Sequence, residues 1–230
     1  MPVKDEGKNN SIRVGEGFEH NVRVRGDNNV VHLEPSQYPS SVTITVNGNG
    51  NDIRIGEPRK LNDLHISVGN HIAAHNVVAK IGAGLSCEKN CEIFLYNSGN
   101  KLCIGEDCMF SRDIILRTGE SPHLIFDAET DEYLDFSEGV FIGDHVWIGE
   151  RTYITKKVSI GSGSIVAACS VVTKRFTETR VVLAGNPAKI ARKGVGWFRN
   201  HSFLPEDSEV RRKWLTARKQ QEAISSDRDR

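Results

Sequence analysis

The feature that most constrains the fold of this chain is a six-residue period of apolar residues. Aliphatic residues fall at every sixth position in the C-terminal half, at Ile142, Ile148, Ile154, Ile160, Val166 and Val172. A helix returns apolar residues after three and four positions, and a strand after two, so neither explains this period. The repeat predicts an all-β solenoid, in which each hexapeptide forms a short strand and a turn, and three hexapeptides close one coil.

The same period recurs upstream with interruptions. Its members there are Ile12, Phe18, Val24, Val30, Ile66, Ile72, Val78, Ile104, Phe110 and Leu116. The six-residue period changes phase between Val78 and Ile81, and prolines such as Pro35 and Pro58 interrupt it in the first part of the chain. We therefore expect irregular solenoid coils or a cap over residues 1–60, followed by a regular β-helical domain over 61–190.

Two segments depart from the repeat. Residues 118–141 lack it and are too many for a turn, and loops of this length are usually functional or disordered. After Val172 the repeat ends, and the extension 191–230 contains a predicted helix over about 207–224. Val210, Trp214, Ala217 and Ile224 share one face of that helix, with Asp207 or Ser208 as its N-cap.

Composition excludes several classes of protein. Thirty basic and thirty acidic residues leave no net charge to attract nucleic acid or an anionic membrane. No apolar run is long enough to span a bilayer, and the first ten residues lack the apolar core of a signal peptide. Five cysteines without a CxxC pair fit reduced thiols better than disulfides or a zinc ribbon. These observations predict a cytoplasmic protein without nucleic-acid partners or a membrane span.

Three motifs identify a resemblance: IGDHVWIG from Ile142, IGSGSIVAACSVVTK from Ile160, and AGNPAKIAR from Ala184. Together they closely resemble the hexapeptide-repeat acyltransferases, and in particular the branch that O-acetylates sugars, capsular polysaccharides and sialic acids. The resemblance implies a left-handed parallel β-helix, an exception to the usual right-handed crossover. It also implies homotrimers, acetyl-CoA as the acyl donor and a carbohydrate hydroxyl as the acceptor.

The long loop contains the motif GESPH, which ends at His123, and Trp147 follows 24 positions later. The resemblance gives His123 the role of catalytic base and makes Trp147 an active-site aromatic residue. An imidazole in water titrates at about pH 6.5, so its neutral form can accept a proton from an attacking sugar hydroxyl. Glu120, Asp113 or a backbone carbonyl could orient the ring, whereas His145 is assigned a structural or supporting role.

Coenzyme A carries a pyrophosphate and a 3′-phosphate, for which basic side chains and backbone N–H groups are suitable partners. The resemblance places these contacts on Thr173, Lys174, Lys189 and Arg192. It also implies that the Ala168 backbone contacts the pantetheine arm and that the Trp147 ring packs against it. In the trimer that the resemblance implies, coenzyme A lies between neighbouring chains, and His123 and Trp147 of one site come from different chains. No metal is expected.

The charge of the loop bears on the acceptor. Between residues 118 and 140 the loop has no lysine or arginine, and its acidic residues are Glu120, Asp127, Glu129, Asp131, Glu132, Asp135 and Glu138. Such a loop repels a polyanion unless the positive charge of Arg112, Arg117 or Arg151 offsets that repulsion. The sequence therefore favours a neutral or amino sugar over polysialic acid.

Two other functions compete with the transferase. A metal-dependent carbonic anhydrase shares the fold and uses three histidines, but His71 and His75 are four positions apart where that pattern needs five. A non-catalytic β-helix that binds a partner along its N-terminal coils is the other alternative. The presence of His123, Trp147, Thr173 and Lys174 favours the enzyme.

Overall fold

The structure, a computed structural model, describes residues 3–228, with side chains described as far as residue 221. The chain divides into two compact units, Met1–Val195 and Gly196–Arg230. The first contains all of the strands, and the second contains the helices.

The first unit is built from three β-sheets, which we call faces 1, 2 and 3. Face 1 contains Val3–Glu6, Phe18–Arg25, Ser40–Asn47, Leu64–Val68, Cys91–Leu95, Ile114–Arg117, Tyr153–Ile154 and Val171–Val172. Face 2 contains Ser11–Val14, Val30–Leu33, Asp52–Ile55, Val78–Ile81, Lys101–Ile104, Gly139–Ile142, Ser159–Ile160 and Arg175–Phe176. Face 3 contains Lys60–Leu61, Ser86–Cys87, Met109–Phe110, Trp147–Ile148, Ile165–Val166, Val181–Ala184 and Lys189–Lys193.

The first four strands alternate between faces 1 and 2, and from Ser40–Asn47 onward the chain visits the three faces in rotation. Each strand pairs in parallel with the next one on its face, except that the last strand of face 3 is antiparallel. The predicted all-β fold, a parallel β-helix of hexapeptide repeats, is confirmed. In the C-terminal coils Phe141 pairs with Ser159 and Ile142 with Ile160, which is 18 positions on. This register stacks the repeat's aliphatic residues in three columns, one on each face.

The predicted core of the C-terminal half is also confirmed. None of the six aliphatic residues from Ile142 to Val172 that define the period is more than 3% exposed. Burying a side chain of this size stabilises the fold by about 1.5–3 kcal/mol. Coil stacking leaves no room for larger residues at the turns: a Cβ added to Gly149 would lie 2.7 Å from the backbone nitrogen of Ala168.

The N-terminal coils are wider, and here the predicted positions are partly wrong. Asp52 pairs with Val78, 26 positions on, so extra residues must be placed at the corners. As a result Ile72 lies in a corner between faces 1 and 2 and is 48% exposed. Val30 is only half-buried because its neighbour Val31 points inward.

Buried asparagines close these wide corners. The Asn29 side-chain oxygen accepts hydrogen bonds of 3.0 Å from both the backbone and the side-chain nitrogen of Asn51. The Asn51 oxygen in turn accepts one of 2.9 Å from the Val77 backbone. The ladder satisfies backbone groups that a corner would otherwise bury without partners.

The long insertion leaves the solenoid at the corner between faces 1 and 2. It begins at Thr118, as predicted, after the strand Ile114–Arg117. The predicted end at residue 141 is wrong, because Gly139–Ile142 forms a strand that pairs with Lys101–Ile104. The loop therefore comprises residues 118–138, which we call the insertion loop.

The second unit contains a 3-10 helix, His201–Phe203, and an α-helix, Glu209–Arg228. The Ser208 hydroxyl accepts a 3.2 Å hydrogen bond from the backbone N–H of Arg211, so Ser208 caps the helix, one of the two predicted caps. Trp214 stacks on His201 with their ring centroids 5.4 Å apart. No helix in the described part of the chain is long and apolar enough to cross a bilayer.

Candidate active site

A buried carboxylate anchors the insertion loop to the solenoid. Asp135 has no exposed surface, and its side chain forms an ion pair with Lys156. It also accepts hydrogen bonds of 3.1 Å from the Asn97 amide and from the backbone N–H of Glu120. Asn97 and Lys156 both lie at the corner between faces 1 and 2, on different coils. The carboxylate thus joins the two ends of the loop to two coils.

The protonation of Asp135 follows from these contacts. Burial by itself raises the pKa of the Asp135 carboxyl, but the hydrogen bonds from Lys156, Asn97 and Glu120 outweigh burial and hold the pKa below its ordinary value. Asp135 is therefore ionised at neutral pH and balanced by the Lys156 ammonium.

His123 lies in the first half of the anchored loop. Its side chain is exposed, and its backbone N–H donates a 3.0 Å hydrogen bond to the Glu120 carbonyl. The residues on either side of the Pro122–His123 pair, Ser121 and Leu124, both line a cleft beneath the loop. The loop therefore holds His123 at the rim of that cleft.

Neither carboxylate considered for orienting His123 contacts its ring. The Glu120 side chain lies 3.7 Å from Arg117, and Asp113 accepts a 2.9 Å hydrogen bond from Asn90. Among residues 3–221, no side chain hydrogen-bonds the His123 imidazole. In this chain alone the ring is free to meet a substrate.

The cleft has a volume of about 630 Å³ and opens between the insertion loop and the solenoid corner. Four aromatic residues and two asparagines are among its lining residues: Tyr96, Tyr133, Phe136, Phe141, Asn97 and Asn100. Lys101 also lines it. A mixture of flat apolar surfaces and amide hydrogen-bonding groups suits a sugar, which has both apolar faces and hydroxyls.

Trp147 lies elsewhere in the coil. It belongs to a strand of face 3, where it pairs with Met109 and Ile165, so the prediction that it sits in a turn is wrong. Its side chain points outward, because the next residue, Ile148, is fully buried. The indole N–H donates a 3.3 Å hydrogen bond to the Ser111 hydroxyl, and this bond fixes the orientation of the ring.

Two residues predicted to bind coenzyme A lie on the same face as Trp147. Arg192 pairs with Val182, and Lys189 with Ala184, at the end of face 3. The cross-strand row Trp147, Ile165, Val182 and Arg192 is thus an apolar strip that ends in a guanidinium. Ala168 is exposed at the adjoining corner between faces 3 and 1.

Thr173 and Lys174 lie apart from that strip. Both are exposed at the corner between faces 1 and 2, the corner from which the insertion loop also leaves. The Lys174 ammonium lies 5.5 Å from the centre of the Phe176 ring. In a three-sided coil the corner between faces 1 and 2 is opposite face 3. A single chain therefore does not bring His123, Thr173 and Lys174 together with Trp147 and Arg192.

Several other histidines have local partners. His145 Nδ1 lies 2.7 Å from a carboxylate oxygen of Asp107, a contact consistent with a structural role. His65 lies 2.7 Å from Asp63, and His75 accepts a 3.1 Å hydrogen bond from the backbone N–H of Asn49. No group of three or more histidine, cysteine or acidic side chains suited to a metal occurs among the described residues.

Sequence reasoning missed the loop anchor and the cleft. The ion pair of Asp135 with Lys156 spans 21 positions, and the hydrogen bond with Asn97 spans 38. No local pattern marks such partners, because their proximity depends on how coils of unequal length stack. The signal that was available is the position of Asp135, an acidic residue among apolar neighbours Leu134 and Phe136.

The chain is similar in sequence to known acetyltransferases. Residues 139–174 match the family model described as bacterial transferase hexapeptide (six repeats). The polysialic acid O-acetyltransferase of Neisseria meningitidis is 30% identical over 206 residues, which is 82% of this chain and 95% of that protein. The galactoside O-acetyltransferase of Escherichia coli K12 is 33% identical over 91 residues, 39% of this chain and 43% of that protein.

Two solved structures of acetyltransferases have a similar fold. The crystal structure of the polySia-specific acetyltransferase NeuO superposes with a TM-score of 0.78 at 27% identity, covering 94% of this chain and 97% of that one. The polysialic acid O-acetyltransferase OatWY shares the fold, with a TM-score of 0.64 at 23% identity over 91% of this chain and 96% of that one.

Proposed function

The chain belongs to the hexapeptide-repeat acyltransferases, in their carbohydrate O-acetyltransferase branch, and we propose that it transfers acetyl directly from acetyl-CoA to an acceptor hydroxyl with His123 as the general base. The observation that carries this proposal is the placement of His123. An exposed imidazole stands at the rim of a sugar-sized cleft, on a loop that a buried ion pair fixes to the solenoid. A base must be held within hydrogen-bond reach of the proton that it takes.

The reaction needs no covalent enzyme intermediate. The acceptor oxygen attacks the thioester carbonyl carbon while the His123 imidazole accepts the hydroxyl proton. The resulting tetrahedral intermediate collapses with cleavage of the carbon–sulfur bond, and the proton passes from the imidazolium to the leaving thiolate. Backbone N–H groups aimed at the developing oxyanion would lower the barrier further.

Face 3 supports a role in binding the donor. The pantetheine arm is long and largely apolar, and the strip of Trp147, Ile165 and Val182 offers it a matching surface. Arg192 and Lys189 lie at the end of this strip, where a phosphate of coenzyme A would be balanced by their charges. Face 3 therefore offers an apolar surface to the pantetheine arm and positive charges to the phosphates of the donor.

The positions of the two sets of residues support a site shared between chains. The insertion-loop corner supplies His123, Thr173 and Lys174, and the opposite face supplies Trp147 and Arg192. In a homotrimer with closed threefold symmetry, the corner of one chain can meet face 3 of the next, which gives three equivalent complete sites.

Exposed apolar side chains on the loop support the same assembly. Six large ones there are each at least 38% exposed: Leu124, Ile125, Phe126, Tyr133, Leu134 and Phe136. Contiguous exposed apolar surface marks interaction sites. A neighbouring chain would cover part of this patch and leave the rest to the acceptor.

The relatives suggest the acceptor. The polysialic acid O-acetyltransferase of Neisseria meningitidis, at 30% identity, and the polySia-specific acetyltransferase NeuO, at 27%, both match this chain over nearly their whole length. We therefore take a sialic acid polymer as the first acceptor to test.

The test is an acceptor panel with acetyl-CoA, in which free thiol release and acetylated product are both measured. We expect thiol release only with a carbohydrate acceptor, at equal stoichiometry with the ester formed. His123→Ala should lower kcat by about a hundredfold or more, the usual contribution of general-base catalysis, without changing the thermal midpoint. A variant that keeps more than about a tenth of the wild-type kcat contradicts the base assignment.

The panel also tests the function itself. No product with any carbohydrate, from folded protein that binds coenzyme A, would favour a non-catalytic solenoid. A matched control is Lys89→Gln, which changes an exposed residue outside the proposed site. It should leave kcat and both KM values at wild type.

A further inference from the structure

The cleft beneath the insertion loop has a charge opposite to the one suggested by the loop's composition. Both of its acidic side chains have cationic partners: Asp135 pairs with Lys156, and Glu138 lies 3.2 Å from Arg175. Lys101, by contrast, forms no ion pair within the described part of the chain. The net charge that the cleft presents to a ligand is therefore positive and centred on Lys101.

The same sign continues along face 2. Lys101, Lys80 and Arg54 lie on three successive strands, and each points outward because its neighbours Leu102, Ala79 and Ile53 are buried. Lys80 is in register with Arg54, whereas Lys101 lies two positions before Cys103, the residue in register with Lys80. Adjacent strands are about 4.8 Å apart, so these cations form a staggered row that extends from the cleft towards the N-terminal coils. Lys80 is exposed and, like Lys101, has no ion-pair partner among residues 3–221.

The row weakens with distance from the cleft. Arg54 lies 2.8 Å from Asp52, and Arg13, further along the same row, pairs with Glu34. These carboxylates offset their partners' charges but leave other guanidinium N–H groups free to donate. The positive charge without a carboxylate partner is thus found at Lys101, which lines the cleft, and at Lys80 on the next strand.

We propose that the cleft binds one carboxylated sugar of an anionic glycan acceptor, with Lys101 as the counter-ion of its carboxylate, and that Lys80 and Arg54 contact the next acidic sugars of the chain. The aromatic residues Tyr96 and Phe141 pack against the sugar's apolar faces. The row follows the long axis of the β-helix, so it suits a linear polymer better than a single sugar. This inference rests on the proposed function in taking the cleft as the acceptor's site.

An anionic glycan is favoured over a nucleic acid by the cleft itself. The lysines are few, the molecule has no net charge, and the cleft offers amides and rings at the scale of one sugar. Binding of a nucleic acid depends on many phosphate contacts along a broad basic surface. Two lysines without ion-pair partners do not supply that surface.

The experiment measures binding without turnover. Titration calorimetry in the absence of acetyl-CoA would use a sialic acid oligomer, a neutral glucan of matched length and a single-stranded DNA oligonucleotide. We expect the sialic acid oligomer to bind, and Lys101→Gln to raise its Kd about tenfold, the loss expected for one charge-assisted hydrogen bond. Lys80→Gln should raise the Kd for the oligomer more than the Kd for a single sialic acid, and Lys101→Arg should retain binding.

Lys89→Gln is the matched control, since it removes one exposed positive charge at the corner between faces 3 and 1. Equal weakening by Lys89→Gln and Lys101→Gln would reduce the effect to bulk charge and overturn the proposal. So would unchanged binding in Lys101→Gln, tighter binding of the neutral glucan, or DNA binding that is equally tight and equally sensitive to Lys101. All variants should keep the wild-type thermal midpoint, because the substituted side chains are exposed.

Failure of this inference and failure of the proposed function give different results. An enzyme that acetylates a neutral sugar, with kinetics indifferent to Lys101, overturns the inference and leaves the transferase intact. Lys101-dependent binding of the sialic acid oligomer without any acetyl transfer supports the inference and overturns the transferase function.

Discussion

Replacing Lys156 by methionine should release the insertion loop while the solenoid stays folded. The substitution keeps most of the aliphatic side chain but leaves the fully buried Asp135 carboxylate without its cation. Removing one partner of a buried ion pair costs about 3–5 kcal/mol. Because 19% of the Lys156 side chain is exposed, we take the lower end, about 3 kcal/mol, which is a factor of about 100 or more in the docked population.

The loop can escape this penalty by moving Asp135 into water, so the loss should be local. The readout is hydrogen exchange at the backbone amides of Glu120 and Ser121, which donate to Asp135 and Asn97 at 3.1 and 3.0 Å. We expect their exchange to accelerate about a hundredfold, and kcat to fall at least tenfold because His123 is carried on the same loop. The amides of the core strands should keep their protection.

Arg175→Gln is the matched control for loop protection, since Arg175 pairs with Glu138 of the same loop but both side chains are more than half exposed. Exposed pairs contribute about 0–1 kcal/mol, so this variant should leave exchange at Glu120 nearly unchanged. Wild-type protection of the loop in Lys156→Met, or equal release in Arg175→Gln, would refute the anchoring role of the buried pair.

Two further predictions concern acid and the donor. The pKa of Asp135 is lower in the folded protein than in the unfolded chain, so its contribution to loop docking is present above about pH 4 and is lost as the pH falls further. The protection factor of the Glu120 amide, which is the exchange rate of an unstructured peptide divided by that of the amide at the same pH, should therefore fall only below about pH 4, and a fall already between pH 6 and pH 5 would contradict this. Arg192→Gln should raise the KM for acetyl-CoA about tenfold and leave the acceptor's KM unchanged, and the reverse pattern in initial-rate kinetics would move Arg192 from the donor's site to the acceptor's.

The C-terminal half of the solenoid was predictable because its coils are regular. When every coil has 18 residues, a six-residue period in the sequence maps directly onto three faces, and Ile148 or Val166 could be assigned to the core by counting. The N-terminal coils vary in length, so counting from Ile66 led to Ile72, which lies at an exposed corner. The period alone carries no information about how many residues each corner absorbs.

The candidate site was predictable as a list of residues but not as an arrangement. The motifs pointed to His123, Trp147 and Arg192, yet nothing in their spacing places His123 and Trp147 on opposite sides of one coil. The loop's acidic composition predicted repulsion of polyanions. In the structure two of those carboxylates, Asp135 and Glu138, are paired with cations from later coils, and the cleft that they line is left with Lys101. Charge at a site depends on partners that only the fold identifies.

In the proposed trimer, one active site combines the loop of one chain with face 3 of another. This arrangement is tested most directly by unfolding His123→Ala and Trp147→Ala, each first shown to be inactive and trimeric, and refolding them together. Mixed trimers would contain sites in which both residues are intact, so we predict that activity returns to a substantial fraction of wild type. If subunit exchange is verified and no activity returns, both residues belong to one chain's site and the shared-site account is wrong.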